Sequence, residues 1–202
     1  IRPMVRAAVA IRLMVGAASE VFYRLYGYHL LEEIGVPEGT NEVLLFGAIG
    51  VAAQAGTFGV IALGRRASAD GSRASASRVL WVLYLVYIVG PLAFAFAPNA
   101  SIAIAFAVMT LWVASAEPPF FVMWVNRGLD SRTRATVLSG TGQADSLGQT
   151  VSALGFGALA TATSVRIALA GAAGLAAPAL ALVRTKPLEE REPQEEAAVP
   201  GD

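Results

Sequence analysis

From Val43 to Leu63 the chain reads VLLFGAIGVAAQAGTFGVIAL, 21 residues without one ionisable side chain. A helix needs roughly 20 predominantly apolar residues to cross the hydrocarbon core of a bilayer, so this run is long enough to span one. Five further apolar blocks lie at about residues 5–31, 79–97, 102–125, 135–160 and 167–183. A compact soluble fold of 202 residues would still need a polar skin, yet the chain is 55% hydrophobic and only 15% charged. Ordinary soluble domains are about 25% charged. The pattern predicts an all-α polytopic membrane protein, with six transmembrane helices over residues 1–185. The acidic, proline-containing stretch 186–202 has too little apolar area to bury and is expected to be a disordered cytoplasmic tail.

The connections test this expectation independently. EEIGVPEGTNE, between the first two blocks, has no Lys or Arg. RRASADGSRASASR then carries Arg65, Arg66, Arg73 and Arg78. PNAS at 98–101 is uncharged, NRGLDSRTR brings Arg127, Arg132 and Arg134, and TATSVR has only Arg166. The segment after the last block opens with Arg184 and Lys186. Basic and non-basic connections alternate, as positive-inside sorting requires. That puts both termini and the two basic loops in the cytoplasm and the acidic loop outside. Trp81, Trp124, Tyr26 and Tyr28 fall near span ends and read as interfacial anchors.

Ionisable residues within the spans are few, and such residues usually face a bundle interior or a watery cavity. Arg12, Gly16, Glu20 and Arg24 recur every four residues and share a helical face. Glu20 and Arg24 can pair, either lining a cavity or fixing the helix orientation with Arg24 reaching outward. In the fifth span Ser139, Gln143, Ser146 and Thr150 form one stripe, with Asp145 and Gln149 on the next. Gly140, Gly142, Gly148, Gly155 and Gly157 are expected to admit neighbouring helices closely. Asp145 near mid-depth is a candidate for proton binding or for an ion pair with Arg24. Gln54 interrupts the second span and bonds either a substrate or a neighbouring backbone. Glu117 precedes Pro118-Pro119, which are expected to break the fourth span. It either lines the cytoplasmic half of a pathway or, as we favour, pairs with Arg127 or Arg134. His29 is expected at the interface, with a proton relay as the alternative.

Several classes are disfavoured. The formal net charge is zero, which argues against nucleic acid, whose phosphates need a basic face. There is no cysteine, hence no disulfide framework or thiolate metal site; this suits a bacterial inner membrane or cytoplasm. One histidine leaves no H-E-x-x-H site, and no G-x-S-x-G elbow or P-loop occurs. No enzymatic activity and no cofactor are expected. A chain opening on Ile1 is expected to be a piece of a longer protein.

The run NRGLDSRTRATVLSGTGQADSLGQTVSALGFGALA is a short basic loop, then RATVLS, then a polar glycine-rich helix. It resembles the junction of the tenth and eleventh helices in transporters of the major facilitator superfamily. GAASEVFYRLYGYHLL looks like a seventh helix of the drug-efflux-like members, and the resemblance extends over residues 1–186. The family's loop motif, G-x-x-x-D-R/K-x-G-R-K/R, is echoed only faintly: Gly59 is followed by Leu63 where an Asp belongs, with Arg65, Arg66 and Arg73 beyond. The resemblance implies the C-terminal six-helix half of a twelve-helix bundle, partnered by a missing N-terminal half. It would work by alternating access about a midplane site, moving a small molecule in exchange for protons. Glu20 and Asp145 would then be the proton or cation carboxylates, with Arg24, Gln54, Gln143 and Gln149 around the site. Glu117, Arg127, Arg134 and His29 would belong to the pathway or its gates. The alternative is a self-contained six-helix membrane protein, an assembly component or an oligomeric channel.

Overall fold

The computed structural model describes residues 3–129 and 131–184, and those residues are helical apart from short connections. Helix α1 spans Pro3–Tyr28 and widens into a π-helical turn at His29–Ile34. Then come α2 (Glu42–Ala67), α3 (Arg73–Ala95), α4 (Ala100–Gly128), α5 (Ser131–Ala162), α6 (Val165–Ala176) and α7 (Ala179–Leu182). The expected tail 186–202 lies outside the described residues. Four segments are long and apolar enough to cross a membrane: α2, α3, α4 and the α6–α7 stretch Val165–Leu182. The more polar α1 and α5 run just as long.

Local chemistry sets the helix starts. The side chains of Asn41, Ser72, Asn99 and Ser164 accept from the backbone N–H groups of Leu44, Ser75, Ile102 and Ile167. Each satisfies a donor that the first turn leaves without an intrahelical partner. Pro178 has no N–H to give and separates α6 from α7. Pro118 and Pro119, by contrast, do not break α4, which runs through both. Their missing N–H groups cost only the bonds to the carbonyls of Ala114 and Ser115. Buried Phe120, Phe121 and Trp124 hold the following turns in place.

Two apolar clusters show how the helices alternate. One gathers Met4 and Ile11 of α1, Leu80 of α3, Trp124 of α4, Val137 of α5 and Ala176 of α6. The other gathers Phe22 of α1, Ile49 of α2, Phe94 of α3, Ala103 of α4 and Val165 of α6. Early α1 and α3 residues thus meet late α4 and α6 residues, so consecutive helices run antiparallel. The connections carrying Arg65, Arg66, Arg73, Arg78, Arg127, Arg132 and Arg134 therefore fall at one end, with Arg184. The acidic loop and the 96–99 and 163–164 links fall at the other.

Helix α2 packs chiefly on α4 and buries only Ile49, Ala53, Thr57 and Gly64. Val43, Leu44, Val51, Phe58 and Leu63 stand exposed along it. The most extensive contact is between α1 and α5. A Cβ at Gly148 would run into the backbone carbonyl of Leu13, whereas Gly140, Gly142, Gly155 and Gly157 have nothing within 4 Å of such an atom. Close approach on α5 is thus the property of one glycine, not of the five expected.

Two interfacial assignments are corrected. Trp124 is fully buried, with the Arg73 guanidinium 5.2 Å from its ring centroid. His29 is also fully buried. Its Nε2 lies 3.1 Å from the Ala95 carbonyl oxygen and its Nδ1 2.9 Å from Glu33 Oε2. The ring continues the buried face of α1 and packs against Phe94, centroids 5.2 Å apart. A carbonyl oxygen can only accept, so Nε2 carries the proton there. His29 ties the end of α1 to the end of α3.

Candidate functional site

Arg12 projects from α1 towards two carboxylates on two other helices. Its Nη1 is 3.0 Å from Glu117 Oε2 of α4 and 4.0 Å from Asp145 Oδ1 of α5. The guanidinium also lies 4.0 Å from the centroid of the Phe121 ring, a stacking that favours a poorly hydrated cation. The Tyr84 hydroxyl of α3 donates to Glu117 Oε1 at 2.6 Å, and Gln149 Nε2 donates to Asp145 Oδ2 at 2.8 Å. Side-chain exposures of 15% for Arg12, 5% for Glu117 and 28% for Asp145 make this an interior cluster.

Small residues allow it. Gly16 lies one turn beyond Arg12, and a Cβ there would be 2.7 Å from the Asp145 carbonyl oxygen and 2.8 Å from its Oδ1. The glycine therefore seats α5, with its carboxylate, against α1. Arg12, Tyr84, Glu117 and Asp145 all lie 9–14 residues from the basic ends of their helices. At 1.5 Å per residue that is roughly 14–21 Å along the bundle.

One guanidinium faces two carboxylates, so with both ionised the cluster carries one unmatched negative charge. In a low-dielectric interior such a charge is balanced by a bound proton or a cation. The cluster borders a cavity of about 170 Å³ between α1, α3, α4 and α5, lined also by Ser19, Tyr23, Tyr87 and Ala114. The Tyr87 hydroxyl is buried there without a hydrogen-bond partner. Ala114, whose carbonyl is one of the two freed by the prolines, also lines the cavity. Among the described residues, no group of three or more His, Cys, Asp or Glu is placed to hold a metal ion.

Several pairings differ from those expected. Glu117 bonds Arg12 rather than Arg127 or Arg134. Arg134 instead donates to the Leu129 carbonyl at 3.3 Å, and both arginines border a shallow hollow at the basic end with Asn126. Asp145 faces Arg12, not Arg24. Glu20 and Arg24 do pair with each other, but the Arg24 side chain is 63% exposed and neither residue lines the cavity. Gln54 and Gln143 are exposed on α2 and α5. Of the six substrate or ion candidates, Asp145 and Gln149 belong to the buried cluster. Glu117, expected in the pathway, joins them. The stripe Arg12–Gly16–Glu20–Arg24 had already brought Arg12 into view, and Tyr84 and Tyr87 stand at helical spacing in the third block.

Tyr84 and Tyr87 provide a matched comparison. Tyr84→Phe leaves a buried carboxylate oxygen without its donor and should lower stability by about 1–3 kcal/mol. Tyr87→Phe removes a hydroxyl that has only Ser19 beside it in the cavity and should cost clearly less. Thermal unfolding of the detergent-solubilised protein reads the difference; equal losses would refute the assigned bond.

Set against protein-family models and curated proteins, the chain matches none of them.

Proposed function

We propose that this chain is one six-helix half of a secondary transporter resembling the major facilitator type. It resides in a bacterial inner membrane with both termini cytoplasmic. Its exposed apolar helices are solvated by lipid, and its arginine-rich end faces the cytoplasm, consistent with positive-inside sorting. The complementary six-helix half closes the other side of a central site. The open glycine face of α5 leaves room for that neighbour. The carrying observation is the buried Arg12–Glu117–Asp145 cluster beside a cavity midway along the helices.

In this reading the cluster couples a proton to movement of a small molecule, in the sense of an efflux antiporter. Arg12 is closer to Glu117 than to Asp145. A proton on Asp145 neutralises the second carboxylate and leaves Arg12 to Glu117 alone. Loss of that proton draws the guanidinium towards α5. Because the two carboxylates sit on different helices, the exchange changes the force between α4 and α5, which is what a rocking bundle requires. Glu20 and Arg24 hold the outer part of α1, and Gln149 orients Asp145.

The test uses the full-length protein in proteoliposomes with an imposed pH gradient. Asp145→Asn and Glu117→Gln should each lower proton-driven flux at least about tenfold, the loss of one positioned proton carrier. Substrate counterflow, which needs no net proton movement, should persist. Undiminished proton-driven flux in both variants would refute the coupling role. The exposed apolar side of α2 favours a second reading, in which copies of this chain cover one another as a self-contained six-helix oligomer. Transport or conductance by the chain reconstituted alone would select it.

A further inference from the structure

The basic end holds a second hollow, of about 680 Å³, that the transport cycle does not use. Arg73, Arg78, Arg127 and Arg184 surround it, from the first turns of α3, the last turn of α4 and the end of α7, with Trp81 and Val82 in its wall. The Arg184 guanidinium lies 4.8 Å from the centroid of Trp81. Arg127 is folded over the loop before α3, where a Cβ on Gly71 would be 3.0 Å from its Nη2. Among the described residues, no carboxylate comes within 4.0 Å of the guanidinium nitrogens of Arg78, Arg127 or Arg184. The nearby Asp70 is engaged by Ser72, whose backbone N–H and hydroxyl both donate to it.

Arg78 and Val82 also border an apolar groove of about 470 Å³ between α2, α3 and α4, lined by Leu63, Val86, Met109 and Trp112. The two spaces therefore adjoin along the Arg78–Val82 edge of α3. From Arg78 to Val86 the groove follows α3 for eight residues, about 12 Å. A guanidinium cage opening onto an apolar channel matches an amphiphile with an anionic head and a hydrocarbon tail. We propose that this end of the bundle holds one anionic phospholipid, its phosphate among the arginines and an acyl chain in the groove. The charge fixes the head group class, and the groove distinguishes a lipid from free phosphate. The inference rests on the membrane reading but not on transport.

The experiment reconstitutes the purified chain in nanodiscs mixing phosphatidylglycerol and phosphatidylcholine, then counts retained lipid by native mass spectrometry after detergent exchange. Phosphatidylglycerol should be retained in preference. Arg78→Gln with Arg184→Gln should weaken retention about 30-fold, each juxtamembrane arginine contributing about a factor of five. Arg65→Gln with Arg66→Gln removes the same charge from the same end outside the hollow and should change retention less than about twofold. Val86→Trp, which fills the groove and spares the arginines, should also lower retention. Equal losses from both arginine pairs would reduce the effect to general surface charge and overturn the site. Displacement of the lipid by millimolar inorganic phosphate, with Val86→Trp silent, would make it a phosphate site instead. Arg78→Lys with Arg184→Lys guards against misfolding: it keeps the charge and should retain more lipid than the Gln pair. Release of the chain from membranes by alkaline carbonate would sink the membrane reading itself. Firm membrane retention without lipid preference overturns the lipid site alone.

Discussion

Replacing Arg12 by methionine should destabilise the bundle by about 3–5 kcal/mol, the usual consequence of removing one partner from a buried ion pair. The substitution keeps a long flexible side chain over Phe121, so packing changes little. What is lost is the cation 3.0 Å from Glu117 and 4.0 Å from Asp145, and two carboxylates then face one cavity without it. The electrostatic account makes a further demand. Glu117→Gln placed on top of Arg12→Met should recover much of the loss, because it removes the charge that the first change left unmatched. Thermal unfolding in detergent of both single variants and the double variant forms the cycle. If the losses simply add, the pair is not the source of the effect and Arg12 acts through packing alone.

The second large effect concerns Gly148. Valine there would place a Cβ into the Leu13 carbonyl and 3.0 Å from the Ala17 nitrogen, both backbone atoms that cannot rotate away. Helices α1 and α5 would have to separate, and their contact is the most extensive in the bundle. Overpacking of a well-packed contact costs about 1–3 kcal/mol, occasionally more, and a clash with backbone belongs at the upper end. Separation would also carry Asp145 away from Arg12, compounding the loss. Gly155→Val, on the same helix but with open space around it, should be tolerated. Monodisperse yield and unfolding temperature of the two variants decide this. Equal behaviour would show that α1 and α5 do not pack as closely as described.

The helical segments were legible because they depend on local signals. Long apolar blocks, an Asn or Ser before each of four helix starts and arginine-rich connections all act within a few residues. Pairings were less legible because they depend on which helices become neighbours. Glu20 and Arg24 sit one turn apart, and their bond could be read from spacing alone. Arg12 lies on the same stripe, but its partners come from α4 and α5, more than a hundred residues away. Spacing also cannot distinguish Gly148 from Gly155: both are small residues on a polar helix, and only the neighbouring backbone makes one indispensable. His29 was misplaced for another reason. Its position near a helix end suggested the interface, but it lies seven residues after the buried Phe22, on the face that α1 turns into the core.

The α1–α5 contact also has a consequence for how the chain is made. Arg12 emerges from the ribosome 105 residues before Glu117 and still longer before Asp145. At translation speeds of about 5–20 residues per second, α1 must therefore wait roughly 5–20 s for its first counter-charge. During that interval the guanidinium has no carboxylate of α4 or α5 to meet, and Gly16 has no α5 to seat. Helix α1, with four charged residues of its own, is thus made well before the two helices that balance Arg12. That interval, rather than the stability of the finished bundle, is where a slowed synthesis would do harm first.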